Sequence, residues 1–346
     1  MKLLLSIDTS CDETSVAVTR GLTILSNVVS SQVRLHKKYG GVVPFLAQRL
    51  HEERIDSVVA LALDRAGVSE SEIEAIAVTY GPGLAPALQV GVAKAKQLSA
   101  EWKVPLYAVD HMIGHICSTW PASGEVVFPA LAVLVSGGHT EFVLIKGFGE
   151  FSIIGRTLDD ALGEAYDKAA IMLGLGYPGG KHLAKLAESG SPEHFPLPVP
   201  MQKSGDYNLS YSGLKTAVRY LLRDLQEASV VMDAEVTADI AASFEYSAQK
   251  AVELKMTKIL RDMPEITTIL VAGGVAANMV LRGKLRAVAK AAGVTSVYFP
   301  RSLKLCGDNA AMIGFAAHLG IEAGQKPVDL DGLDRVPYLS VEDYNL

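Results

Sequence analysis

Apolar and polar positions along this chain predict strands and helices in regular succession. Leu3 to Ile7 is a short apolar run, followed by a polar turn from Asp8 to Thr14 and a second run from Ser15 to Thr19, which together read as a hairpin. A long amphipathic pattern then passes through Leu50, Ile55, Val58, Val59 and Leu63; Pro44 suits its first turn and Gly67 its stop. Ile73 to Thr79 reads as a strand ending in Gly81-Pro82-Gly83, Ala87 to Trp102 as a helix, and Leu106 to Val109 as the next strand. Beyond a join at Glu125 to Pro129 the opening pattern returns. Ala130 to Val135 is an apolar strand, Ser136 to Thr140 a tight polar turn, and Phe142 to Ile145 a strand again. The repeat, about one domain length apart, predicts two related halves, with chance similarity as the alternative because the copies share little sequence.

Helical patterns follow over Asp159 to Leu173, near 213–226 and 237–262, over Ala276 to Ala291 and over Asp308 to Glu322. Strands are expected at Thr268 to Val271 and Ser296 to Phe299. The Pro-rich stretch 192–201 and the segment to Ser212 read as a long loop, a usual place for a lid or a substrate contact.

The chain has 346 residues, enough for two domains of ordinary size. Its net charge of −6 provides no whole-surface basic field, so any RNA contact needs a local patch or a partner's basic surface. Arg34, His36, Lys37 and Lys38 form one candidate patch, and Arg282, Lys284, Arg286 and Lys290 another; a solvated face explains each equally well. Cys11, Cys117 and Cys306 are odd in number and widely spaced, which argues against a disulfide framework or thiolate zinc site and fits a reducing compartment. No apolar stretch approaches the roughly 20 residues of a membrane helix. The expectation is a cytoplasmic protein without membrane contact.

Three glycine turns stand out: Ser136-Gly137-Gly138, Tyr177-Pro178-Gly179-Gly180 and Ala272-Gly273-Gly274. Such turns let backbone N–H groups approach a phosphate, and with the acidic turn at Asp8, Asp12 and Glu13 they suggest a nucleotide site. No P-loop or dinucleotide fingerprint accompanies them. His111 and His115 stand at i and i+4, so on a helix they share one face, within reach of one metal ion. Two ordinary histidines are the alternative. Asp308, at the start of the last helix, is a candidate third ligand, and two imidazoles with a carboxylate suit iron or zinc. A protease of the HExxH type would need glutamate where Met112 stands. Asp167 either binds ribose or threonine hydroxyls or pairs with Lys168 on a solvated face. Asn278 either caps a helix or contacts a nucleotide, and Cys11 reads as a small packed residue rather than a nucleophile.

Taken together, IDTSCDET (7–14), YGGVVP (39–44), GPGL (81–84), HMIGH (111–115), LVSGGHT (134–140), GEAYDKAA (163–170), GYPGG (176–180), YSGLKTA (211–217), AGGVAAN (272–278) and CGDNAAMI (306–313) resemble the tRNA threonylcarbamoyladenosine transferase family, once described as glycoprotein endopeptidases. The resemblance spans nearly the whole chain. It implies an α/β actin-like ATPase fold, with two ribonuclease H-like lobes and a cleft between them. Residues 1–128 would form the N-terminal lobe, completed by about 308–346, and 129–307 the C-terminal lobe.

The resemblance puts His111, His115 and Asp308 at metal-ligand positions. It puts Leu134, Val135, Ser136, Gly137 and Gly138, with Asp167, Gly180 and Asn278, at nucleotide and substrate contacts. Asp12 and Glu13 match acidic residues near the reacting centre. The implied cofactors are one divalent metal (iron, with zinc or magnesium as alternatives) and an adenine nucleotide, threonylcarbamoyl-AMP or ATP. The implied partners are tRNA, a paralogous actin-like subunit and a small ATPase. The implied reaction transfers threonylcarbamoyl to N6 of the adenosine 3′ of the anticodon in tRNAs reading ANN codons, releasing AMP; an ATPase or kinase of the same fold, or a non-catalytic scaffold, are the rivals. Ile113, Gly307 and Lys181 depart from the family pattern, Ile113 standing where an acidic residue is usual.

Overall fold

Ten strands and ten α-helices are found in a computed structural model that describes residues 1–123 and 125–344; Gly124 within segment 1–128, and Asn345 and Leu346 at the end of segment 308–346, lie outside the described residues. The first part runs β1 (Leu3–Asp8), β2 (Glu13–Arg20), β3 (Thr23–Ser31), α1 (Val33–His36), α2 (Pro44–Ala66), β4 (Ala75–Gly81), α3 (Ala85–Trp102), β5 (Leu106–Asp110) and α4 (His111–Cys117). There follow β6 (Ala130–Val135), β7 (Thr140–Gly147), β8 (Glu150–Arg156), α5 (Leu162–Met172), α6 (Gly180–Ala187), α7 (Ser212–Glu227) and α8 (Ala234–Asp262). The chain closes with β9 (Thr268–Ala272), α9 (Met279–Ala291), β10 (Ser296–Tyr298) and α10 (Ala310–Glu322).

The chain divides into two units. One holds Met1–Phe128, Ile145–Ser152 and Tyr298–Leu346, the other Pro129–Leu144 and Ile153–Val297. The chain thus returns to the first unit at Tyr298, before residue 308, where the sequence reading draws its boundary.

In the first unit the sheet order is β3-β2-β1-β4-β5. β1 pairs antiparallel with β2 and parallel with β4, and β4 pairs parallel with β5. The second sheet reads β8-β7-β6-β9-β10, with β6 and β9 parallel. Counted from the first strand of each sheet the order is 3-2-1-4-5 in both, so the repeat expected from the strand-turn-strand pattern recurs at the level of topology.

β1 is buried along its whole length because it is the middle strand, flanked on both edges. α2 begins at Pro44, whose missing N–H costs nothing there, and stops at Gly67, in the left-handed conformation with φ of 66°. α10 lies against β1 and β2, where a Cβ on Gly314 would come within 2.5 Å of Thr19 Oγ1. Ser6 Oγ donates to Ala310 O at 2.7 Å, and Ala310 N donates to Ser15 Oγ at 2.8 Å, which pins the start of α10 to the sheet.

In the second unit the segment 188–211 has neither helix nor strand, only the bridge Thr157↔Leu209. It is fastened rather than loose. Asp239, Ser243, Ser247 and Lys255 are buried polar side chains of α8 whose four-residue spacing winds slowly around the helix. Asp239 accepts from Ser191 N at 2.6 Å, Ser243 Oγ donates to Pro192 O at 3.1 Å, and Ser247 Oγ donates to Leu197 O at 2.9 Å. Lys255 Nζ donates to Ser204 Oγ at 2.5 Å and Asp206 O at 2.9 Å. At the far end the two carboxylate oxygens of Asp159 accept from Ser210, Tyr211 and Ser212. The segment is the long loop its composition predicts, tied down mainly through its backbone.

Candidate functional site

The first unit gathers His111, His115 and Asp308, and local sequence explains how. β5 ends at Asp110, whose Oδ1 accepts from Met112 N at 2.7 Å and Ile113 N at 2.9 Å. That cap starts α4 at once and sets His111 and His115 on one face. Ile113 stands two positions from each histidine, hence on the other side of the helix, and is fully buried. Gly114 lets α4 approach α10, since a Cβ there would lie 2.8 Å from Ile313 Cδ1. Asn309 caps α10 through Met312 N at 3.3 Å, which leaves Asp308 just ahead of the helix.

His115 Nε2 lies 3.2 Å and His111 Nε2 lies 3.5 Å from the same atom, Asp308 Oδ1. The three ligand atoms lie within 4.8 Å of one another. Ligands each ~2.1 Å from one ion are separated by roughly 3.0–3.5 Å; both distances to Asp308 Oδ1 match this, the full set spreads wider, and the donor types suit a divalent cation that would draw them together. Burial pushes the His111 imidazole toward neutrality, but the carboxylates of Asp8 and Asp308 outweigh it and hold its pKa well above the ordinary value. Burial likewise opposes ionisation of Asp308, and the two histidines overcome it, keeping its carboxyl well below the usual range.

Next to it is the acidic turn. His51 Nε2 lies 2.9 Å from Cys11 O and its Nδ1 lies 2.8 Å from Thr14 Oγ1, so this buried side chain ties the middle of the turn to the start of β2. Burial, then the charges of Asp12, Asp308 and Glu13, push the Cys11 thiol up, which disfavours the thiolate.

Glu13 accepts from Ser31 Oγ at 3.0 Å, yet burial and then the charges of Asp12 and Asp308 raise its pKa to about 10. The folded chain keeps this proton while the unfolded chain releases it above about 4.5, so stability is lost as pH rises from there toward 10. Glu13→Gln is expected to stabilise the metal-free protein by about 1–3 kcal/mol at pH 7 and by nothing near pH 4, read from thermal melts at the two pH values. Equal melting shifts at both would contradict the protonated state.

The second unit holds the other predicted contacts. Leu134 and Val135 end β6 fully buried. Ser136 N donates to His139 O at 2.8 Å, and His139 N donates to Ser136 Oγ at 3.0 Å, which closes the turn. A Cβ on Gly137 or Gly138 would meet nothing within 4 Å, so the turn is open outward. Gly163, at the start of α5, fits beneath it, with a Cβ position 2.7 Å from Ser136 O.

Asp167 does not pair with Lys168, which binds Asp160 and Glu164 instead. Its Oδ1 accepts from Gly179 N at 2.8 Å and Gly180 N at 2.7 Å, tying two predicted contacts together. Asn278 caps α9 through Leu281 N at 3.0 Å and donates from Nδ2 to Glu245 Oε1 at 2.7 Å. Glu245 also accepts from Tyr166 Oη at 3.3 Å, so Tyr166 and Asp167, neighbours on α5, reach Asn278 and Gly180 respectively. Sequence reasoning did not find Glu245; its only signal is an acidic residue amid the apolar positions of α8.

Both basic patches shrink. His36 is fully buried, its ring bonded to Gln32 and Val43, because one face of α1 turns inward. Arg282 is buried and donates from Nε to Ala276 O at 2.5 Å. Arg34, Lys37, Lys38, Arg286 and Lys290 are exposed. Among the described residues no helix is long and apolar enough to cross a membrane.

Comparison with known proteins gives consistent results. A profile of the tRNA N6-adenosine threonylcarbamoyltransferase family matches residues 23–315. A tRNA N6-adenosine threonylcarbamoyltransferase of Bacillus subtilis is 47% identical over 325 residues, covering 93% of this chain and 91% of the relative. One from a Picosynechococcus species is 44% identical over 348 residues, covering 99% and 96%. Among solved structures, HypF from T. kodakarensis matches with a TM-score of 0.61 at 14% identity, over 93% of this chain and 48% of that one. Component A of the Acidaminococcus fermentans (R)-2-hydroxyglutaryl-CoA dehydratase matches with a TM-score of 0.53 at 13% identity, over 93% and 100%. At such identities the two structures speak to fold alone, and that fold is the α/β actin-like ATPase class. With the profile over most of its length and relatives of this identity covering nearly all of it, the chain belongs to the tRNA N6-adenosine threonylcarbamoyltransferase family.

Proposed function

We propose that this protein transfers threonylcarbamoyl from threonylcarbamoyl-AMP to N6 of the adenosine 3′ of the anticodon in tRNAs reading ANN codons, in the cytoplasm. The observation that carries the chemistry is the convergence of His111 Nε2, His115 Nε2 and Asp308 Oδ1 in a chain of this family. The donor is a mixed anhydride. As N6 attacks its carbonyl carbon, a C–N bond forms, the C–O bond to phosphate breaks, AMP leaves, and one N6 proton must be taken up.

Held by His111, His115 and Asp308, a divalent metal (iron in our reading, zinc or magnesium as alternatives) would supply Lewis-acid stabilisation of a donor oxygen. The open backbone at Gly137-Gly138 and the turn at Gly273-Gly274 suit the phosphate and adenosine. Leu134 and Val135 anchor the first of these turns, while Asp167, Gly180 and Asn278 form a preassembled group for donor hydroxyls. The acidic pair Asp12 and Glu13 would supply the acceptor for the N6 proton; in the metal-free chain burial and the neighbouring carboxylates hold Glu13 toward its protonated form, which favours Asp12 for that role. tRNA would meet exposed cations such as Arg286 and Lys290, and the net charge of −6 supports a need for help from partners. In our reading these are a paralogous actin-like subunit and a small ATPase.

The test supplies threonylcarbamoyl-AMP and unmodified tRNA to the protein with those partners and reads threonylcarbamoyladenosine by mass spectrometry. Product from the wild type and none from His115→Ala is the expected result. Product from both would remove His115 as an essential ligand, and product from neither would overturn the proposed function.

A further inference from the structure

Two buried polar atoms beside the triad, Asp8 Oδ2 and His111 Nδ1, have no hydrogen-bond partner among the described residues. They face each other at 3.5 Å. Asp8 is the last residue of β1, the middle strand of its sheet, and is fully buried. Its Oδ1 accepts from Ser10 N at 3.2 Å, which fixes the carboxylate plane and leaves Oδ2 turned to the histidine. A buried carboxylate oxygen with nothing but an imidazole nitrogen before it is costly unless the two share a proton. On the other side of the same ring, Nε2 faces Asp308 Oδ1. His115 is backed differently: its Nδ1 is buried and has no hydrogen-bond partner among the described residues.

We infer that Asp8 is a positioning residue of the metal centre. It accepts the Nδ1 proton of His111, which fixes the tautomer, holds the ring plane and directs the Nε2 lone pair toward the position shared with His115 and Asp308. Carboxylates placed behind metal-bound histidines raise ligand basicity in this manner. The 3.5 Å separation exceeds a strong N–H···O bond by a few tenths of an ångström, within reach of a small ring rotation. Being fully buried, Asp8 serves the site through His111 and not by touching substrate. The inference rests on the metal reading proposed above.

The test titrates Zn2+ alone against a competing chelator, using the full chain as wild type, Asp8→Asn and His115→Ala. Asparagine keeps the volume of Asp8 and an acceptor for Ser10 N while removing the charge. Asp8→Asn is expected to weaken Zn2+ binding by about 10–100-fold, and His115→Ala by more. If the wild type binds, His115→Ala does not, and Asp8→Asn binds as the wild type does, Asp8 has no positioning role although the metal reading stands. If the wild type itself fails to bind, the metal reading falls and the inference with it. A measurement needing no variant guards against misfolding: in the Zn2+-loaded wild type, nitrogen-proton correlation of the assigned His111 ring should show a slowly exchanging, downfield Nδ1 proton. Its absence would overturn the hydrogen bond to Asp8.

Discussion

Asp308→Ala is expected to leave the purified protein without stoichiometric metal and to lower threonylcarbamoyl transfer by more than the roughly 10–100-fold that loss of an outer partner costs. The reason is geometric. Asp308 Oδ1 is the atom that both His111 Nε2 and His115 Nε2 approach, at 3.5 and 3.2 Å, so its removal takes away the only charged donor of the three. Two neutral imidazoles from one short helix then remain, a set that holds divalent cations poorly. Metal content by elemental analysis and product by mass spectrometry are the two readouts. Metal retained at one equivalent, with activity intact, would mean that the histidines find their third ligand elsewhere.

The second large effect is structural. Gly273 has φ of 95°, and a Cβ there would lie 2.4 Å from Val135 O and 2.7 Å from Val135 C. Those are backbone atoms at the end of β6, which pairs with β9 and has no room to move aside. Gly273→Ala should therefore combine a left-handed penalty with a hard clash and lower stability by about 3 kcal/mol or more, seen as a drop in the thermal or urea midpoint. Gly274→Ala is the matched control, because nothing lies within 4 Å of its Cβ position. Equal midpoints for the two variants would show that the turn relaxes freely.

Much of this was legible in sequence, and the gaps have physical causes. Pro44 and Gly67 bracket α2 because each carries a backbone constraint that is written in the residue type. β3 and β8 were not anticipated, and both lie at the edge of their sheets, where TILSNVVSS and EFSIIGR need only partial burial and show no clean alternation. α6 was hidden by its glycine-rich start, which reads as a continuation of the preceding turn. The pairing of His111 with His115 follows from helical spacing. That Asp308 joins them does not; it depends on Gly114 and Gly314 letting α10 sit close to α4 and the sheet. His36 and Arg282 are buried although their segments read as surface cations, because charge in a short helical pattern says nothing about which face turns inward. Asp8 stands at the start of the acidic turn, and its full burial beside His111 could not be read from its neighbours in sequence.

The three-part composition of the first unit bears on how the protein is made. Its sheet and both histidines leave the ribosome early, whereas α10 and Asp308 come only after all of residues 129–297. At common elongation rates of 5–20 residues per second, roughly 10–40 s separates His115 from Asp308. Through that interval the sheet face that α10 later covers lacks that helix, and His111 and His115 lack Asp308. A nascent chain arrested before residue 308 is thus unable to bring these three side chains together, so the proposed ligand set can form only after the whole second unit has been synthesised.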